Sequence, residues 1–224
     1  MRRSVINLFQ FVALMLSTLI AMNSHAQSTP TQAASPGYIA ISPPQPTSSG
    51  DKVEVIEVFS YGCIHCAQFQ TSVDAWRKRI DKSAVQFSYL PAPFNPLFSL
   101  LARGYYAADS LGVSEKTHQR VFDALFVNGK QVNNLPTLAD LYASLGVDRV
   151  AFMKAAQSFV VESQLRRADD LMQAYRVDGT PTIIVAGKYR VTGESAGGND
   201  KVFTVVDTLI AKERKLAKTS PKMQ

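Results

Sequence analysis

The sequence predicts an α/β domain with a block of helices inserted into it, and three observations carry that prediction. A strand, a tight turn, a helix and a second strand follow one another across residues 53–90; about eighty residues of helical signals without a strand come next; a hairpin and a last helix close the chain. With 224 residues, 46% of them apolar and 19% charged, there is material for one globular unit with an elaboration and barely enough for two ordinary domains.

The first element is an export leader. Arg2 and Arg3 precede an apolar run from Phe11 to Met22, and Ser24-His25-Ala26 supplies small residues where a signal peptidase needs them, so residues 1–26 are expected to be removed by cleavage after Ala26. The run is short for a bilayer-spanning helix, which takes about 20 residues. No cysteine follows it to take a lipid. Residues 27–50 form a Pro/Ser-rich segment without charge, carrying Pro30, Pro36, Pro43, Pro44 and Pro46. They are expected to be extended, with Tyr38-Ile39-Ala40-Ile41 available as a short edge strand. The folded unit is expected to begin at Asp51.

Val53 to Phe59, rich in β-branched and aromatic residues, reads as a largely buried strand that Ser60-Tyr61-Gly62 ends. Cys63, Cys66, Phe69, Val73, Trp76 and Ile80 then recur at steps of three and four, one stripe of an amphipathic helix. Val85 to Leu90 is a second strand, stopped by Pro91, Pro93 and Pro96 because proline cannot continue a ladder. Together these make a βαβ unit.

In the insert, helices are expected from Leu97 to Leu111, from a cap at Ser114 to Asn128-Gly129, from Thr137 to Leu145, and from a cap at Asp148 toward Tyr175 as one helix or a broken pair. Pro181 to Val185 resumes the sheet, and Ala186-Gly187 turns the chain into Lys188 to Val191. Asn199 or Asp200 caps a final helix whose Val202, Val205, Val206, Leu209 and Ile210 form its buried stripe. The sheet-bearing domain is thus expected from residues 51–93 and 177–217, the helical insert from 94–176, and a flexible tail from 218–224.

The formal charge is +6; the two leader arginines, with no leader acid, leave +4 on the mature chain, an ordinary value for solubility. Lys212, Arg214, Lys215, Lys218 and Lys222 lack interleaved aromatics and read as a solvated helix face and tail, so no nucleic-acid partner is expected.

The chemistry centres on Cys63-Ile64-His65-Cys66, placed after a strand and at the start of a helix. A helix N-terminus offers unpaired N–H groups and the positive end of the dipole, so Cys63 stands where a thiolate is favoured, and His65 can add charge or a donor. Cys66, one turn in and on the apolar stripe, is expected to be shielded. The loop between them is too short for a disulfide to constrain the unfolded chain much, which favours a chemical purpose over a structural staple. Thiol exchange then follows: a substrate thiolate attacks Cys63 of the oxidised protein, Cys66 leaves, and a second substrate thiol displaces Cys63.

An inert buried disulfide is the first alternative. A metal site is the second, but outside the leader only His65 and His118 remain as histidines, so a four-ligand zinc site is poorly supplied and a two-thiolate copper(I) carrier is what metal chemistry leaves. Strand alternation puts Glu57 on the side of Val53, Val55 and Phe59, either desolvated and functional or at a solvated strand end. Trp76 and Phe69 are expected in the core and His118 at a solvated helix position. Tyr105-Tyr106 reads as insert packing or groove lining.

The stretch Glu57-Val58-Phe59-Ser60-Tyr61-Gly62-Cys63-Ile64-His65-Cys66, the helical insert with Phe159-Val160-Val161, and Gly179-Thr180-Pro181 before Gly187-Lys188-Tyr189 together resemble the DsbA family of periplasmic disulfide oxidases, over roughly Tyr38 to Lys215. The resemblance implies a thioredoxin fold with its helical domain inserted between the βαβ unit and the C-terminal hairpin and helix. It implies Cys63 as nucleophile, Cys66 as resolving thiol, His65 as a stabiliser of the thiolate, Glu57 as a buried acid moving protons to and from Cys66, and Pro181 as a cis-proline facing the dithiol beside a substrate-pairing backbone.

Ile64 stands where the family has proline, and Thr180 where its best-studied members have valine; both border the site at which substrate is expected. The family further implies a periplasmic monomer that needs no cofactor beyond its own disulfide. It would oxidise unfolded or newly exported cysteine-containing polypeptides and be reoxidised by a DsbB-like membrane quinone reductase. Thr180, similar to the threonine common in disulfide isomerases, keeps an isomerase or reductase as the alternative direction.

Overall fold

Seven consecutive buried residues, Val53–Phe59, make strand β2, and its sequence does not alternate cleanly because it has strands on both sides and cover on both faces. Val53 and Val55 pack with Phe69, Val73 and Trp76 of helix α1 (Ile64–Arg79) and with Val206 and Leu209 of the last helix. Ile56 and Val58 belong instead to the core that continues into the insert through Leu101, Phe122, Leu138 and Phe152. Helix α1 is the crossover to β3 (Val85–Pro91), which runs parallel to β2 in register from Val53↔Val85 to Phe59↔Pro91. The strand therefore extends one residue into the prolines, at the free edge of the sheet, where Pro91 forfeits no ladder bond.

The computed structural model describes residues 37–219. The export leader, residues 27–36 of the proline-rich segment and residues 220–224 of the expected tail lie outside the described residues.

The chain joins the sheet earlier than Asp51. Strand β1 (Ile39–Ala40) pairs antiparallel with a strand near the other end of the chain, β5 (Tyr189–Val191). Beyond it the Ile41 N–H donates to the Lys188 carbonyl (2.8 Å) and the Gln45 N–H to the Gly187 carbonyl (2.9 Å). Prolines exclude a helix from this segment but leave its free N–H groups able to pair with an exposed edge. Tyr38 closes against Tyr189, ring edge to face at 4.9 Å.

Strand β4 (Thr182–Val185) lies antiparallel to β2 and hairpins into β5, giving the order β1-β5-β4-β2-β3. The turn between them has φ of 52° at Ala186 and 63° at Gly187, with the Lys188 N–H donating to the Val185 carbonyl at 3.0 Å, the type I′ geometry that matches strand twist. A Cβ on Gly187 would lie 2.2 Å from the Gln45 carbonyl oxygen. Gly187→Ala is therefore expected to cost roughly 2 kcal/mol or more of folding free energy, from left-handed strain and loss of the 41–45 strap together; a urea midpoint equal to that of the unsubstituted protein would contradict it.

The insert holds five helices among the described residues. Helix α2 (Pro96–Ser110) starts one residue before Leu97 because Asn95 caps it, accepting the Phe98 N–H at 2.9 Å. Helix α3 (Ser114–Phe122) is capped at Val113, not Ser114, whose hydroxyl bonds Asp109 instead, and it runs on into a π-turn at Asp123–Val127. Helix α4 (Leu135–Ser144) opens at Asn134, with Thr137 as the reciprocal partner of a capping box. Helices α5 (Arg149–Ala156) and α6 (Phe159–Ala174) are the broken pair, separated because Ser158 caps the second by accepting the Val161 N–H at 3.2 Å. After β5, a four-residue helix α7 (Gly193–Ala196) was not foreseen, and Asn199–Lys201 forms a 3₁₀ turn into α8 (Val202–Thr219).

Candidate active site

Where β2 ends, the Cys63 N–H donates to the Ser60 carbonyl (3.0 Å) and the Gly62 N–H to the Ser60 hydroxyl (3.1 Å), turning the chain from strand into helix. Gly62 is held closely: a Cβ there would meet the Phe98 ring at 2.7 Å, so the start of α2 packs directly on the turn. Cys63 occupies the N-cap of α1 with an extended backbone and makes no side-chain capping bond. The first-turn N–H groups are thus left for its sulfur.

Both cysteines are free thiols here, and their surroundings differ sharply. Cys63 is partly exposed, and its thiol is pulled from the usual 9.0 down to about 5. Donation from the Cys66 S–H is the largest cause; partial burial opposes it, and the Thr180 side chain and the backbone N–H groups of Cys66 and His65 add to it. In the neutral state the Cys63 thiol lies 3.4 Å from the Thr180 carbonyl oxygen. Cys66 is fully buried, and burial pushes its thiol far above the usual range, the hydrogen bond to Cys63 adding to the effect.

Glu57 is 1% exposed in the middle of β2, opposite Tyr89 on β3 and Ile183 on β4, and its Oε2 has no hydrogen-bond partner. Burial, with the Asp74 carboxylate adding, lifts its carboxyl to about 8 against the opposing pull of Arg77. The carboxyl is therefore desolvated and does not stand at a solvated strand end. It is not hydrogen-bonded to either sulfur; it stands on the sheet face that α1 covers.

The structure brings Cys63, Cys66, Thr180 and the His65 backbone to one point. The His65 and Ile64 side chains are exposed at the mouth of the site, Ile64 at 42%. The Thr180-Pro181 peptide bond is cis, as is Ser42-Pro43. Trp76, ten residues past Cys66 and so about 15 Å along the helix, stacks on Phe203 and donates its indole N–H to Asp207 at 2.8 Å. It is core and remote from the sulfurs; Phe69, only three residues past Cys66, is core as well and stacks on Phe203. Tyr105 and Tyr106 are buried insert packing rather than groove lining.

His118 corrects the expectation of a solvated position. It is 5% exposed, and burial lowers its imidazole to about 3, with Arg77 contributing. The signal was present in the spacing: His118, Val121 and Phe122 lie three and four apart on the buried stripe of α3. Among the described residues no three or more His, Cys, Asp or Glu side chains gather as a metal site, and no helix is long and apolar enough to cross a membrane.

Residues 54–209 match the model of the DSBA-like thioredoxin domain. The chain is 36% identical over 200 residues to the thiol:disulfide interchange protein DsbA of Azotobacter vinelandii, covering 88% of this chain and 93% of that one. It is 34% identical over 212 residues to the protein of the same name from Pseudomonas aeruginosa, covering 95% and 99%. Among solved structures, the crystal structure of Pseudomonas aeruginosa DsbA superposes with a TM-score of 0.78 at 36% identity, over 82% of this chain and 95% of that one. The oxidoreductase DsbA from Xylella fastidiosa superposes with a TM-score of 0.75 at 34% identity, over 80% and 96%.

Proposed function

This chain belongs to the DSBA-like thioredoxin domain family and is a protein thiol:disulfide oxidoreductase of the thioredoxin fold; on that premise we propose that Cys63 is its exchanging thiol and Cys66 its resolving thiol. The observation that carries the assignment is the contrast between a half-exposed sulfur held near 5 and a buried one held far above the usual range. Attack by a substrate thiolate falls on the accessible Cys63 sulfur and expels Cys66. As Cys66 leaves it takes a proton, and Glu57, still protonated at neutral pH, is the acid we assign to give it. A second substrate thiol then displaces Cys63, which departs easily because its thiolate is stable. The same stability disfavours the protein's own disulfide, so the direction we assign is oxidation of the substrate.

His65 supports the thiolate through its backbone N–H. Ile64, Thr180 and Pro181 form the rim on which a cysteine-containing polypeptide lies, Thr180 through its carbonyl. We place the protein in the periplasm, exported by a leader cut after Ala26 and acting as a monomer on newly exported polypeptides. A DsbB-like membrane quinone reductase returns its disulfide, and no metal or organic cofactor takes part.

The experiment is alkylation of the reduced protein by iodoacetamide as a function of pH. One thiol is expected to react, with a midpoint near 5, and Cys66 is expected to react only on unfolding. A single midpoint near 8, or equal reactivity of both thiols, refutes the assignment.

A further inference from the structure

We propose that His118, on the inserted helix α3, is a positioning residue for exchange at Cys63. It ties Tyr61, two residues before Cys63, to Gln70, one helical turn past Cys66, and so holds the turn that carries the sulfur against the helix whose N–H groups stabilise the thiolate. The inference rests on the reading of Cys63 as the exchanging thiol.

Both ring nitrogens of His118 are engaged: Nδ1 lies 2.9 Å from the Tyr61 hydroxyl and Nε2 lies 3.1 Å from Gln70 Oε1. The orientation of the carboxamide is fixed from its other end, where Gln70 Nε2 donates to Asp74 Oδ1 (3.0 Å) and to the Tyr89 hydroxyl (2.8 Å). Oε1 is therefore an acceptor, which requires a proton on His118 Nε2 and leaves Nδ1 bare to accept from Tyr61. One tautomer satisfies both ring nitrogens.

Aromatic rings enclose the imidazole, with Phe59 at 4.9 Å, Tyr89 at 4.1 Å and Phe122 at 5.3 Å. The ionisable groups facing it are Arg77, which donates to Tyr89 at 3.1 Å, and Tyr61, Tyr89 and Tyr105, whose hydroxyls burial holds above their usual range.

The link to chemistry is angular. The Cys66 S–H and the first-turn N–H groups lower the Cys63 thiol only while they point at its sulfur, and a hydrogen bond weakens steeply as it bends. Their aim is set by the angle between the 60–63 turn and α1. His118 is bonded to both sides of that angle, and it reaches them from the insert.

The test uses full-length protein and two readouts, the pH profile of Cys63 alkylation and the equilibrium constant with glutathione. His118→Leu leaves Tyr61 and Gln70 without their partner. It is expected to raise the alkylation midpoint by about one unit, and to make the protein disulfide more stable against glutathione by about tenfold, the factor that one unit represents. A merely structural role destabilises the oxidised and reduced forms alike and leaves both readouts where they were, and that outcome would overturn the proposal. Tyr61→Phe, which keeps the ring, carries the test if His118→Leu does not fold: a smaller shift of the same sign supports positioning, and no shift overturns it. In the double substitution the shift is expected not to exceed that of His118→Leu alone. A midpoint near 8 in the unsubstituted protein would instead remove the Cys63 reading itself, and it is seen before any substitution is made.

Discussion

Cys66→Ser and Cys66→Ala are both expected to abolish turnover, yet to part in what they do to Cys63. Without a resolving thiol the protein has no disulfide to donate; its Cys63 thiolate can still attack the disulfide of an oxidised substrate, expelling one substrate thiolate and forming a mixed disulfide that no internal sulfur displaces, so that adduct accumulates. The reactivity of Cys63 is a separate matter, because the largest cause of its lowered thiol is the hydrogen bond from the Cys66 S–H. Serine keeps a donor at that atom and is expected to leave the alkylation midpoint near 5. Alanine removes the donor and is expected to raise the midpoint by about one unit or more. Mass spectrometry of the trapped adduct and alkylation across pH 3–9 check the two halves. Identical midpoints for the two variants would show that the helix N-terminus alone, and not the partner thiol, sets the thiolate.

Glu57→Gln is expected to stabilise the fold at pH 7 by about 3 kcal/mol while slowing exchange. The carboxyl is raised from 4.5 to about 8 by burial, so folding at neutral pH requires it to take up a proton that the unfolded chain does not hold. The contribution of Glu57 is therefore neutral below 4.5 and becomes a growing cost as pH rises toward 8, at about 1.4 kcal/mol per unit, levelling off above it. Glutamine has nearly the same shape, carries no charge and takes up no proton. The advantage of the variant should vanish at pH 4 and be largest at pH 8 and above, as urea unfolding at the three values will show. A gain independent of pH would mean that Glu57 is not a desolvated acid. The loss of exchange rate tests the separate assignment of Glu57 as proton donor to Cys66.

The parts of the fold that were legible beforehand depend on local pattern. Val53–Phe59, the stripe from Cys63 to Trp76 and the Ala186-Gly187 turn are each specified within a few residues by composition, period or turn chemistry. The placement of a reactive sulfur at a helix start follows from the same short window. What escaped local reading depends on partners far along the chain. The 37–50 segment counts as part of the fold only because β5 offers it an edge, and Gly187 is constrained as much by the Gln45 carbonyl as by its own turn. The spacing of His118 with Val121 and Phe122 marks a buried position, but its partners come only when α3 is laid on α1, where its two bonds reach residues 57 and 48 positions away. Helices α2 and α4 start one and two residues before Leu97 and Thr137, each opened by an asparagine cap with a proline in the first turn.

The Thr180 carbonyl that meets the Cys63 sulfur is 117 residues distant in sequence, and the strand β4 that follows it pairs with β2 across a longer separation still. A chain made from its N-terminus therefore presents its reactive pair long before the residues that complete the site. During that interval the thiols are those of an unfinished protein, open to pairing with whatever sulfur lies nearby. Competence in thiol exchange arrives late, when β4 docks on β2 and brings Thr180 to Cys63. Completion of the site is thus gated by synthesis of nearly the whole chain.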